Sequence, residues 1–150
     1  MSAVADAKAL PLPDHAYVPG LTSRHPEGFL DHVIVQSPEA TNTDGASENL
    51  PWHYGIRLFH EGYYWEAHEV WEAVWIKAPP ASRERFLVQA AIHVTNARLK
   101  LRMNRQAAHN RLLDLAVECL NRAFQGAGTG KSATVVMGYE KTVFLKEYEL

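Results

Sequence analysis

From about residue 50 onward the apolar positions of this chain recur at helical spacing; before it they follow no regular period. Residues 1–50 carry prolines at 11, 13, 19, 26 and 38 and glycines at 20, 28 and 45. Proline at that density rules out a long helix. This part predicts an irregular arm, with residues 29–35 as a short extended piece and TNTDGASEN (residues 41–49) as a polar loop. Tyr17, Val18, Phe29 and Ile34 are its anchors onto a domain, and such wrapping would bring His15, His25 and His32 toward a site. Trp52, Ile56 and Phe59 then form one stripe. They predict a first helix over residues 51–61, with Pro51 in its first turn and Gly62 closing it in the left-handed conformation. A second helix follows over residues 63–77 and stops at Ala78-Pro79-Pro80. Tyr64, His68, Trp71 and Trp75 share one of its faces, so an imidazole is set into an aromatic stripe that otherwise reads as core.

Ser82 is placed to cap a third helix over residues 83–103. Leu87, Ala91, Val94 and Leu101 make one apolar stripe on it, and Val88, Ile92 and Leu99 another. Between them run Gln89, His93, Asn96 and Lys100. A polar ladder with apolar neighbours on both sides either lines a polar cavity or forms a buried hydrogen-bond network. Asn104 is suited to end this helix in the left-handed region. A fourth helix is expected over residues 105–124, with Ala108, Leu112, Leu115, Cys119 and Ala123 facing inward. GAGTG (residues 126–130) reads as a link, TVVM after it as an extended approach, and residues 139–148 as a short closing helix carrying Val143, Phe144 and Tyr148. Short connections favour antiparallel neighbours. The expected fold class is all-α: an antiparallel bundle of about four main helices, with residues 1–50 as an irregular arm packed on a bundle domain of residues 51–150.

Length and composition narrow the function. The chain has the size of one ordinary domain. Its formal net charge of −2 supplies no general pull toward nucleic acid or a membrane surface. Cys119 is the only cysteine, which excludes a disulfide framework and a cysteine zinc site. The N-terminus has neither the basic nor the apolar segment of a secretory signal, and no apolar run approaches a membrane span. A cytoplasmic protein that engages neither membrane nor nucleic acid is expected.

The chemistry concentrates in FHEGYYWEAHEVWEAVW (residues 59–75), which holds three of the four tryptophans. GYYWEAHEVWEAVW, followed by QAAIHVTNARLKLRMN, resembles the bacterial domain-of-unknown-function family 309, an all-helical family with a Gly-Tyr-Tyr-Trp-Glu-Ala-His-Glu block. YVPG (residues 17–20) and the His-Pro at residues 25–26 resemble the arm of some longer relatives. The resemblance covers residues 50–124 well and the arm loosely. It implies a helical fold and the label of a predicted metal-dependent hydrolase. One departure is His93, where relatives often carry a second glutamine.

Within the block, His68, Glu69 and Glu72 read H-E-x-x-E. This is similar to the start of the zincin helix, where two ligands one turn apart bind zinc and the intervening glutamate is the base. Imidazole and carboxylate suit zinc, manganese or iron. On this reading His68, Glu72 and His93 hold the metal, Glu69 is the base, and Tyr64 donates to a developing oxyanion. Glu66, Gln89, Asn96, Lys100 and Trp65 support the site or touch a small or anionic substrate. The competing readings are a non-catalytic homodimeric helical protein, whose His, Glu, Gln and Asn residues form a buried polar network, and a small-ligand binding module. Five aromatic rings on the second helix (Tyr63, Tyr64, Trp65, Trp71 and Trp75) exceed what one small core needs, and a homodimer interface would account for the surplus. Arg98, Lys100, Arg102 and Arg105 complement the dipole at the end of the third helix or bind an anion. QGAGTGKS (residues 125–132) imitates a phosphate-binding loop, but Gln125 replaces the first glycine and a helix precedes it where a strand is required; no nucleotide is expected there.

Overall fold

The computed structural model describes residues 2–125 and 134–150. The GAGTG link and most of the phosphate-loop look-alike fall outside the described residues. The chain runs through α1 (Ala3–Ala9), α2 (Asp31–Ile34), a 3-10 turn (Ala46–Glu48), α3 (Leu50–His60), α4 (Tyr64–Ile76), α5 (Arg83–Arg102) and α6 (Gln106–Ala123). A hairpin of β1 (Val135–Val136) and β2 (Tyr139–Glu140) and a last helix, α7 (Lys141–Glu147), complete it. The architecture is all-α, with α4 packed between α3 and α5, and α6 packed along α5. None of the described helices is long and apolar enough to cross a membrane.

Local signals decide where the main helices begin and end. The Asn49 side chain accepts from the Trp52 amide and Pro51 sits in the first turn of α3. Gly62, at φ +88°, makes the break before α4. The Ser82 hydroxyl accepts from the Arg85 amide to open α5, and Asn104, at φ +60°, ends it. These boundaries agree with the sequence pattern to within a residue or two.

The arm is more ordered than its prolines suggest. Seven residues ahead of Pro11 form α1, an alanine-rich stretch capped by Ser2. Ala3 and Ala7 are buried against α3, and the Arg57 guanidinium donates to the carbonyls of Ala7 and Leu10 at the end of α1. The extended piece expected at residues 29–35 is instead the short helix α2. Leu30, Val33 and Ile34 have the i, i+3, i+4 spacing of a helical face, and Leu30 and Val33 are buried.

Three inward faces also differ from expectation. On α4 the buried arc is Glu66, Ala67, Val70, Trp71 and Val74, while Tyr64, His68 and Trp75 lie at its edge. The reason is that α4 is gripped from two sides, by α3 and by α5, and its arc centres between them. On α6 the buried positions are His109, Ala116, Leu120 and Ala123, and Leu115 is 37% exposed. Both sets satisfy helical spacing, and contact with α5 selects one. On α5, Leu101 lies exposed in the last turn of a helix much longer than α4.

The core is built on two tryptophans. The Trp52 and Trp71 rings lie 5.6 Å apart, and Trp71 Nε1 donates to the Trp52 carbonyl at 3.2 Å. Gly55, one turn along α3, lies directly beneath the Trp71 indole. The hairpin closes the other side: Trp52 Nε1 donates to the Met137 carbonyl at 3.1 Å. Met137 and Gly138 both have positive φ, as a two-residue hairpin turn requires. A methyl group at Gly55 would collide with the Trp71 indole. Gly55→Ala is therefore expected to cost about 1–3 kcal/mol by overpacking, read as a lower urea midpoint with an unchanged slope.

Candidate functional site

The site is built on the face of α4 that its two flanking helices leave open. After the turn at Gly62, the i, i+3, i+4, i+7 spacing sets Trp65, His68, Glu69 and Glu72 along one side. His68 Nε2 stands 2.9 Å from Glu72 Oε1, and its Nδ1 stands 3.6 Å from Glu69 Oε1. One donor atom from each of His68, Glu69 and Glu72 falls within 4.8 Å of the other two, a spacing that suits a metal ion. His68 Nδ1 is buried and makes no hydrogen bond. Exposure grades outward, with side chains at 19% for His68, 36% for Glu69 and 54% for Glu72. Burial raises the Glu69 carboxyl above the ordinary carboxylate value; the His68 charge opposes this, Glu72 reinforces it and Arg24 opposes it.

Two cavities flank this face, and Trp65 lines both. One, of about 520 Å³, lies between α4 and the arm and is bounded by Arg24, His25, Phe29, Asp31, Trp65 and Glu69, among others. The second, of about 350 Å³, opens on the far side of Trp65. There His68, Asn96, Lys100, Met103 and Arg111 converge from three helices.

Beneath the first cavity lies a pair that the spacing on α4 did not disclose. Glu66 is fully buried. Its Oε2 accepts from the Tyr17 backbone N–H at 2.7 Å and from His25 Nε2 at 2.6 Å. The His25 side chain is 6% exposed and stacks on Phe29, with ring centroids 3.9 Å apart. Wrapping of the arm does bring one of its histidines to the site. Which one, and onto which glutamate, has no local signal, because the partners are 41 residues apart. His15 stacks behind His25 at 4.5 Å, and His32 faces a smaller cavity of about 370 Å³.

The remaining expected residues divide. Asn96 and Lys100 line the 350 Å³ cavity. Gln89 and His93 line neither cavity, and His93 does not join the His68 cluster. The reason is rotational. Thr95 is the α5 residue turned to α4, its hydroxyl donating to the Tyr64 carbonyl at 2.8 Å. At about 100° per residue, His93 sits nearly opposite it on the helix. Burial holds the His93 imidazole below its ordinary value. Tyr64 is also engaged elsewhere, with its ring under the Arg102 guanidinium at 4.3 Å and against Phe59 at 5.3 Å. The aromatic surplus of α4 is largely covered by the chain itself. Trp65 meets Tyr17 edge-on at 5.1 Å and Phe29 at 6.1 Å, and Trp75 lies under Arg85 at 3.9 Å.

Residues 52–112 match the family model of a domain of unknown function (DUF309). The match spans α3, α4, α5 and the start of α6, so it contains the His68 cluster, Glu66 and both cations of the smaller cavity, but not His25. Neither the curated proteins nor the solved structures give a significant match.

Two outcomes follow from this geometry. Glu66→Ala would leave His25 and the Tyr17 amide without their acceptor, and breaking one side of a buried pair costs about 3–5 kcal/mol. Urea unfolding should record that loss, with Glu66→Gln retaining part of it. For His93, the folded state binds fewer protons than the unfolded state below the ordinary value of 6.5. Its contribution is complete above that pH and declines as the pH falls below it. His93→Gln should therefore flatten the acid side of a stability–pH curve in part, with the similarly shifted His53 among the groups that remain.

Proposed function

We propose that His68 and Glu72 hold a divalent metal ion on α4 and that the chain is a metal-dependent hydrolase of a small substrate. The observation that carries this reading is the His68–Glu69–Glu72 cluster, with its donor atoms within 4.8 Å and a buried imidazole nitrogen that has no hydrogen-bond partner among the described residues. Buried polar atoms are normally paired, and an imidazole with a carboxylate one turn away suits zinc, manganese or iron. When bound, such an ion polarises a carbonyl or phosphoryl oxygen and acidifies water.

Glu69 and Glu72 have different surroundings, which supports different roles. Glu72 is mostly in solvent and bonded to His68, so it orients the imidazole and shares the ion. Glu69 lines the 520 Å³ cavity, and its carboxyl is held above the ordinary value by burial. A base with a raised value is better matched to taking a proton near neutrality. Trp65 and Phe29 wall the same cavity and exclude water from one side of it.

One observation favours the non-catalytic alternative. The 2.6 Å His25–Glu66 pair is a buried polar connection that ties the arm to the bundle, as a packing-specifying network would. The two readings separate on metal. Chelator-treated, tag-free protein titrated with manganese or zinc should take up close to one equivalent, and His68→Ala should lose it while staying folded. Glu69→Gln should keep the ion but lower metal-dependent turnover of p-nitrophenyl ester or phosphate probes by roughly 10²–10⁴-fold. Wild-type protein that takes up neither metal would sink the hydrolase reading.

A further inference from the structure

The 350 Å³ cavity differs in charge from its neighbour across Trp65. The larger cavity sets Glu27, Asp31 and Glu69 against one cation, Arg24. The smaller has no acidic residue in its lining and two cations, Lys100 from α5 and Arg111 from α6. Among the described residues neither cation makes an ion pair; Lys100 is half-buried and Arg111 exposed. Two of their basic neighbours are committed to the fold. Arg98 pairs with Glu149 and donates to the Tyr148 carbonyl, and Arg102 donates to the Gly62 carbonyl while covering the Tyr64 ring. A lysine held partly out of water without a counter-ion costs free energy unless an anion joins it.

The remaining lining describes the shape of that anion. Among the described residues the Asn96 side chain has no hydrogen-bond partner, so its amide is free to donate. Leu99, Met103 and Trp65 supply an apolar wall, with Leu99 only 7% exposed. A few convergent polar groups on an apolar surface are the usual build of a small-molecule site, and the volume lies within the usual range. His68 closes the end nearest the cluster.

We infer that this cavity binds a small amphiphilic anion, with its carboxylate or phosphate head on Lys100, Arg111 and Asn96 and its apolar body against Trp65, Leu99 and Met103. As the substrate class for the metal site it rests on the reading above. As a binding site it does not, because Lys100 and Arg111 lie outside the metal cluster. The head faces two cations, and the side of the ligand toward His68 meets the reacting centre.

The test uses the chelator-treated protein, so that no metal contributes. Phenyl phosphate, benzoate, inorganic phosphate and benzyl alcohol are titrated by calorimetry and by tryptophan fluorescence. Phenyl phosphate or benzoate should bind and perturb the fluorescence, and benzyl alcohol, which lacks the charge, should bind at least about 10-fold more weakly. Lys100→Gln and Arg111→Gln should each weaken the anion by roughly 10- to 100-fold, the range of a charged hydrogen bond, while still taking up manganese as wild type does. The relative affinity of the two aromatic anions identifies the head group as phosphate or carboxylate. If neither binds at millimolar concentration, or if binding survives both substitutions unchanged, the site is refuted. Loss of anion binding in a variant with manganese uptake intact tells against damage to the metal site as its cause, and anion binding to a wild-type protein that takes up no metal would remove the hydrolase reading alone.

Discussion

A carboxylate taken wholly out of water must be compensated nearby, and Glu66 is that carboxylate here. Nothing in α3, α4 or α5 bonds to it; its partners are an imidazole and a backbone amide from the arm. The arm crosses α4 on a course that brings His25 and Tyr17 onto Glu66 together. Phe29 and Trp65 then stack in parallel at 6.1 Å, and the larger cavity forms between them and the rim of Glu69. One buried acid thus links the packing of the first fifty residues to the shape of the site.

The same helix separates three kinds of surface. Ala67, Val70, Trp71 and Val74 enter the core, where Gly55 leaves room for the larger indole. Glu66 turns to the arm. Trp65, His68, Glu69 and Glu72 remain on the open side, with the acidic cavity at one edge and the basic cavity at the other. Trp65 stands between regions of opposite charge, and His68 and Glu69 face one region each. A metal ion held there, as proposed, would stand between two cavities of different polarity, so that a substrate bound by one end could be acted on at the other.

Much of this was legible in the residues. Asn49, Gly62, Ser82 and Asn104 mark helix boundaries because capping and left-handed backbone are local chemistry. The H-E-x-x-E cluster was legible for the same reason: residues three and four apart on a helix meet whatever surrounds them. Residues 29–35 misled because a short apolar run fits a strand or a helical turn equally well. Leu115 misled because α6 offers two overlapping apolar stripes, and nothing within α6 tells which one α5 will cover.

His93 and His25 mark the limit from opposite sides. His93 has suitable chemistry on a neighbouring helix, but the rotation of α5, visible in the Thr95–Tyr64 bond, turns it away from the cluster. His25 sits in a stretch without periodicity and is carried onto Glu66 across 41 residues. The sequence by itself determined the four main helices, their ends and the cluster within α4, since these depend on groups within about one helical turn of each other. The tertiary structure alone decided which face of each helix is covered, which histidine meets which glutamate, and which cations line the smaller cavity. Those outcomes depend on the relative rotation of separate elements and on the burial of one charge, and neither is encoded in local spacing.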